Sequence, residues 1–111
     1  MTINEDKQQQ HNNHTKKIWE SPATIGLEHI AVSSRETKLF HYNKLYHQPD
    51  NLCFDPSVGI LYNIEYKTST ARMYRGVKQL LEQNEFLKEV FNQKYKIVNL
   101  YVHDDYQASV L

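Results

Sequence analysis

The stretch PDNLCFDPSVGILYNIEYK, residues 49–67, sets the reading of the whole chain. Asn51 to Phe54 has the pattern of a strand, and Asp55-Pro56-Ser57-Val58-Gly59 carries turn chemistry with proline at the second position. Ile60 to Tyr66 then resumes as a longer strand, so the stretch is a β-hairpin. Alternation in the second strand places Ile60, Tyr62, Ile64 and Tyr66 on one face and Leu61, Asn63, Glu65 and Lys67 on the other.

Downstream, Thr68, Ser69 and Thr70 offer N-caps for a helix in which Met73, Val77, Leu80 and Leu81 recur at i, i+4, i+7 and i+8. Phe86, Leu87, Val90 and Phe91 prolong this helix or form a second one after Asn84. Tyr95 to Val102 is β-branched and aromatic, the composition of a buried strand, and the polar His103-Asp104-Asp105 follows it. Upstream the signal is divided. Residues 26–36 put Leu27, Ile30 and Ala31 at helical spacing, which predicts a short helix with Glu28 near its start. The competing reading makes Leu27 to Val32 a strand, with Ser33 and Glu36 as the capping box of a helix over Thr37 to Tyr46. Lys38 to His47 fits either period. Residues 1–20 are rich in Gln, Asn, His and Lys and read as a mobile polar tail that Trp19 anchors to the body.

With 111 residues there is room for one domain, and 40% hydrophobic content against 23% charged gives it a modest core. The expected architecture is a single α/β domain over residues 21–111, a mixed sheet of about four strands with helices packed across it. Thirteen basic residues balance thirteen acidic ones, so any basic surface has to be local. No apolar run reaches the roughly 18 residues of a membrane span and the N-terminus lacks the apolar stretch of a signal peptide, so an intracellular location without membrane association is expected. The single cysteine, Cys53, excludes an internal disulfide and reads as a small core residue. There is no Gly-rich phosphate loop, no G-x-S-x-G elbow and no H-E-x-x-H helix. His11 and His14, three apart, have a spacing that binds metal on a helix, but the polar tail offers nothing to order one. His29, His41, His47 and His103 are not gathered by their spacing.

The chemistry lies at the end of the second hairpin strand. Glu65 and Lys67 point the same way, and burying a carboxylate and an ammonium without use is costly. The hairpin partner begins at Pro49-Asp50 and brings the Asp50 carboxylate toward that of Glu65. Two converging carboxylates repel unless a cation lies between them, and hard oxygen ligands suit Mg²⁺ or Mn²⁺. Two acids, a divalent ion and a lysine are what phosphodiester hydrolysis requires, with Lys67 orienting water and offsetting charge at phosphorus.

Pro49-Asp50, a hairpin, Glu65-Tyr66-Lys67 ending an apolar strand, a Thr/Ser-rich turn into a basic helix and a further apolar strand together resemble the PD-(D/E)XK nuclease superfamily. The resemblance spans about residues 24–102 and is closest to the small Holliday-junction resolvases and compact restriction-endonuclease-like domains. It implies that Asp50 and Glu65 bind the metal, that Lys67 is catalytic, and that Glu28, on the first helix, completes the metal site. Asp55 is a second candidate for the family aspartate; Asp50 is preferred because Asp55 heads the turn at the far end of the hairpin. The resemblance also implies a Mg²⁺- or Mn²⁺-dependent nuclease acting on DNA, an endonuclease rather than an exonuclease, and by analogy with the resolvases a homodimer. Some members of the superfamily have lost activity, so the alternative is a catalytically inactive nucleic-acid-binding or protein-interaction module on the same fold. Lys67, Arg72, Arg75 and Lys78 precede any acid until Glu82, and Arg75, Lys78 and Gln79 lie close together on the helix surface. Arg72, Arg75, Lys78 and Gln79 are therefore the expected nucleic-acid contacts.

Overall fold

A computed structural model describes residues 3–41, 44–67, 73–91 and 94–111. Its elements in chain order are helix α1 (Ile3–Glu20), a 3₁₀ turn (Pro22–Ile25), strands β1 (Val32–Arg35), β2 (Leu39–His41), β3 (Lys44–His47), β4 (Asn51–Asp55) and β5 (Ile60–Tyr66), helix α2 (Met73–Val90), and strands β6 (Lys96–Val102) and β7 (Ala108–Val110). Five strands form one mixed sheet in the order β1-β4-β5-β6-β7, while β2 and β3 make a separate two-stranded ribbon. Every neighbouring pair in the main sheet is antiparallel except β5 and β6, which run parallel and are joined through α2. Among the described residues the protein is thus a mixed α/β fold with two helices, and its main sheet has one strand more than expected.

The hairpin falls where the sequence places it. Asn51 faces Ile64 and Asp55 faces Ile60 across the ladder, and Gly59 closes the turn at φ +66°, a conformation that costs glycine least. The core divides into two layers. On one side of the sheet Ile18, Ile25, Cys53, Ile64, Tyr66, Leu100 and Val102 form the main buried cluster. On the other side α2 buries Gly76, Leu80, Gln83 and Leu87, a stripe at i, i+4, i+7 and i+11 that runs unbroken past Asn84. Leu81 stays 53% exposed, because the contact is centred on Gly76. A Cβ built on Gly76 would stand 2.7 Å from a ring carbon of Tyr101, so a side chain there would hold the helix off the sheet.

Three upstream expectations are corrected. Residues 3–20, expected to belong to a mobile tail, form α1, and it is Ile18, fully buried in the main cluster, rather than the 44% exposed Trp19, that ties this segment to the body. The apolar period is nearly absent from α1 because the helix is fastened through polar groups. Arg35 donates to the Thr15 hydroxyl at 3.1 Å and to the Asn12 carbonyl at 3.2 Å, and Asn51 donates to the Thr15 carbonyl at 2.9 Å. His14 stacks between the rings of Tyr66 and Tyr106, with centroids 4.3 and 4.5 Å away. Its two ring nitrogens lie 2.8 Å from the Gln10 carbonyl oxygen and 2.9 Å from that of Asp104. Residues 26–36 hold no helix either. Gly26, at φ +85°, ends the 3₁₀ turn, residues 27–30 run without regular structure, and Val32–Arg35 pair with β4 as β1. The described part of residues 37–46 does not form the helix weighed for it but belongs to the β2–β3 ribbon.

Truncating Ile18 tests the corrected N-terminus directly. Ile18→Ala should lower unfolding free energy by about 2–4 kcal/mol, the usual loss for a fully buried isoleucine, as measured by urea denaturation. A loss below about 0.5 kcal/mol, typical of a surface position, would return residues 1–20 to a tail.

Candidate metal and phosphate site

The β4–β5 ladder sets the site. Asn51 faces Ile64, so one step further out Asp50 lies beside Glu65 at the same end of the sheet. Both are buried, Asp50 to 7% and Glu65 to 3% exposure. The two oxygens of Asp50 are held separately. Oδ2 accepts the Tyr66 backbone N–H at 2.7 Å, and Oδ1 lies 3.0 Å from Nε2 of His11 on α1. Glu65 Oε1 pairs with the Lys67 ammonium at 3.3 Å, while its Oε2 and the Nδ1 of His11 are buried and meet no protein partner.

The electrostatics follow from that geometry. Burial, and after it the charge of Asp50, pushes the Glu65 carboxyl up to about 8, against the opposing pull of Lys67 and His11. His11 is raised above its ordinary value, chiefly by its hydrogen bond to Asp50, with burial working the other way.

The remaining sequence candidates separate. Lys67, Arg75, Lys78, Gln79 and Glu82 line one cavity of about 350 Å³, so Lys67 belongs both to the acidic cluster and to the basic groove. Arg72 lies outside the described residues. Glu28 is exposed on the irregular segment 27–30, with no helix to carry it, and among the described residues no hydrogen bond or ion pair ties it to Asp50 or Glu65. Asp55 is buried rather than solvent-facing, but at the opposite end of β4, where its carboxylate accepts the N–H and the hydroxyl of Ser57 and shapes the turn. That separates the two aspartates by the length of the strand.

Sequence reasoning missed His11. The His11/His14 spacing was visible, but the two imidazoles go to different work, His11 to Asp50 and His14 to the tyrosine pair. Only a docked α1 makes His11 legible.

Among the described residues no set of three or more His, Cys, Asp or Glu side chains is placed so that it could hold a metal ion. The carboxylates are of the type that suits a hard divalent cation: Asp50 and Glu65 repel each other, and one buried oxygen of Glu65 has no partner, while the His11 imidazole is already bonded to Asp50.

The sign of the pH dependence is fixed by these shifts. Glu65 keeps its proton to a higher pH in the folded state than in the unfolded chain, and His11 does likewise, so both lose stabilising effect as pH rises. For Glu65 the window runs from about 4.5 to about 8. Without divalent cation, the Tm advantage of Glu65→Gln over the parent chain should therefore grow with pH across that window, measured by thermal melts in a pH series. A constant difference would show that Glu65 is not charged against a penalty.

Comparison with family models, curated proteins and solved structures returns no match to the chain, so its functional reading rests on this geometry.

Proposed function

We propose that the chain is a divalent-cation-dependent nuclease that cleaves DNA internally, built on a restriction-endonuclease-like core of the PD-(D/E)XK type. The observation that carries this reading is the convergence of Asp50, from the head of β4, with Glu65 and Lys67, from the end of β5, in one buried cluster beside a basic groove. The element order supports it as well: a hairpin, β4–β5, then a helix and a further apolar strand that runs parallel to β5 is the succession on which the superfamily resemblance rests. In this reading the residue that α1 contributes is His11, in place of the expected Glu28.

Asp50 and Glu65 would hold Mg²⁺ or Mn²⁺, with His11 bonded to Asp50 behind them. Such a cation, when bound, polarises a phosphoryl oxygen and makes its water acidic enough to attack near neutral pH. Lys67, fixed by Glu65, orients the nucleophilic water and offsets charge that develops at phosphorus in the transition state. The backbone N–H of Tyr66 and the ring of His11 hold Asp50 in one orientation, which removes the cost of ordering it during reaction. Arg75 and Lys78 neutralise phosphates flanking the scissile bond, and Gln79 adds a neutral hydrogen-bonding group.

A second reading has its own observation. Lys67 pairs with Glu65 and His11 with Asp50, so the four side chains are mutually compensated as they stand. On that reading the cluster is structural and the domain binds nucleic acid or protein without cleaving it.

Variants separate the two. Glu65→Gln and Asp50→Asn should each abolish cation-dependent cleavage of plasmid and linear DNA while DNA affinity is kept, and Asp55→Asn should still cleave. Lys67→Ala should cut the single-turnover rate about a hundredfold or more with Mn²⁺ affinity equal or higher, since the ammonium competes for the same negative field. A destabilised but fully active Lys67→Ala protein would favour the structural cluster.

The groove has a separate signature. Replacing Arg75 and Lys78 by Ala should weaken DNA binding equally across sequences and flatten the plot of log affinity against log salt by about 0.9 per lost duplex phosphate contact. An unchanged slope would make these ordinary solvated helix charges.

A further inference from the structure

Tyr101 is the partner of Glu65 on the next rung of the sheet: β5 and β6 run parallel, and the register pairs the two residues directly. Paired residues share a face, so both side chains lie beneath α2. Tyr101 is 1% exposed and Glu65 3%. The Tyr101 hydroxyl is buried without a hydrogen-bond partner, and so is Oε2 of Glu65. A phenol left unbonded in the interior costs stability that phenylalanine, filling the same space, would not. The ring is also placed with some care. Gly76 lets the backbone of α2 close over it, and a Cβ at that position would touch both the Tyr101 ring and, at 3.3 Å, the Cγ of Lys67. The phenol proton is held more tightly than usual, first by burial and then by the charges of Asp104 and Glu65, which sets those carboxylates within electrostatic reach.

We propose that Tyr101 is a positioning residue of this site: its hydroxyl donates to Oε2 of Glu65 when that carboxylate takes up a divalent cation, fixing the ligand's orientation. The proposal rests on the cation-binding reading above. A ligating carboxylate needs an outer partner to hold its plane, and Lys67 already engages Oε1. Strand pairing makes Tyr101 the neighbour of Glu65 on the next strand, and its hydroxyl is a buried donor still without a partner.

The test uses Tyr101→Phe in the full chain, with Mn²⁺ as the probe. Thermal melts without cation should show Tm raised by about 4 °C, the scale of one relieved buried polar group in a domain of this size. Calorimetric titration should show Mn²⁺ binding weakened about tenfold or more, the usual range for losing an outer-sphere partner. A structural role alone would not raise Tm and weaken cation binding together. Unchanged Mn²⁺ affinity in Tyr101→Phe, with the parent chain binding normally, would overturn the positioning role and leave the nuclease reading standing. A fall in Tm would also overturn it, since the hydroxyl would then be bonded within the fold. If the parent chain shows no Mn²⁺ binding that depends on Asp50 and Glu65, the nuclease reading fails and the role of Tyr101 falls with it.

Discussion

The β4–β5 ladder carries Asp50 and Glu65 to the same end of the sheet, and packing leaves neither room to turn away. Two carboxylates in that position are tolerable only while positive charge stands beside them, and the surrounding structure supplies it from three directions. A proton remains on Glu65 to about pH 8, Lys67 reaches back from the end of the same strand, and His11 reaches across from α1. A cluster with this balance is costly as architecture and useful as a binding site, which is the usual relation between local strain and function.

The groove beside the cluster depends on the same placement. Because α2 presses on the sheet through Gly76, its Leu80, Gln83 and Leu87 side goes to the interior, and Arg75, Lys78 and Gln79 face the opening that Lys67 shares. Had the helix rested on Val77 and Leu81, as simple periodicity suggests, it would have turned that charged side elsewhere. A neutral chain can in this way gather three basic side chains, Lys67, Arg75 and Lys78, around one opening that holds a single acid, Glu82, among its lining residues.

What could be read from the sequence was whatever depended on neighbours in the chain. The hairpin was legible because its turn residues and its alternation agree, and it brought Asp50, Glu65 and Lys67 with it. The strand over 96–102 was legible from its β-branched and aromatic run. Helix α1 was not, because most of its anchoring is polar: Thr15, Asn12 and His14 bond to groups on β1, on β4 and beyond β6, and hydrogen bonds of that kind leave no period in hydrophobicity. His11 was hidden for the same reason, and Glu28 was put forward only because a helix was expected in its neighbourhood. Residues 26–47 misled because short segments satisfy both periods, and strand pairing at β1 decided what local preference had left open.

The seat that receives His14 has a consequence for when the molecule can act. One wall of that seat, Tyr66, lies midway along the chain, but the opposite wall and floor are Tyr106 and Asp104, near its far end. A chain emerging from the ribosome makes α1 first and must hold it unseated until residues 104–106 have appeared. The bond between residues 14 and 104 is also among the most distant in sequence, so its loop closes late even in a free chain. Because the same helix brings His11 to Asp50, the contact between those two side chains waits on residues made some ninety positions later.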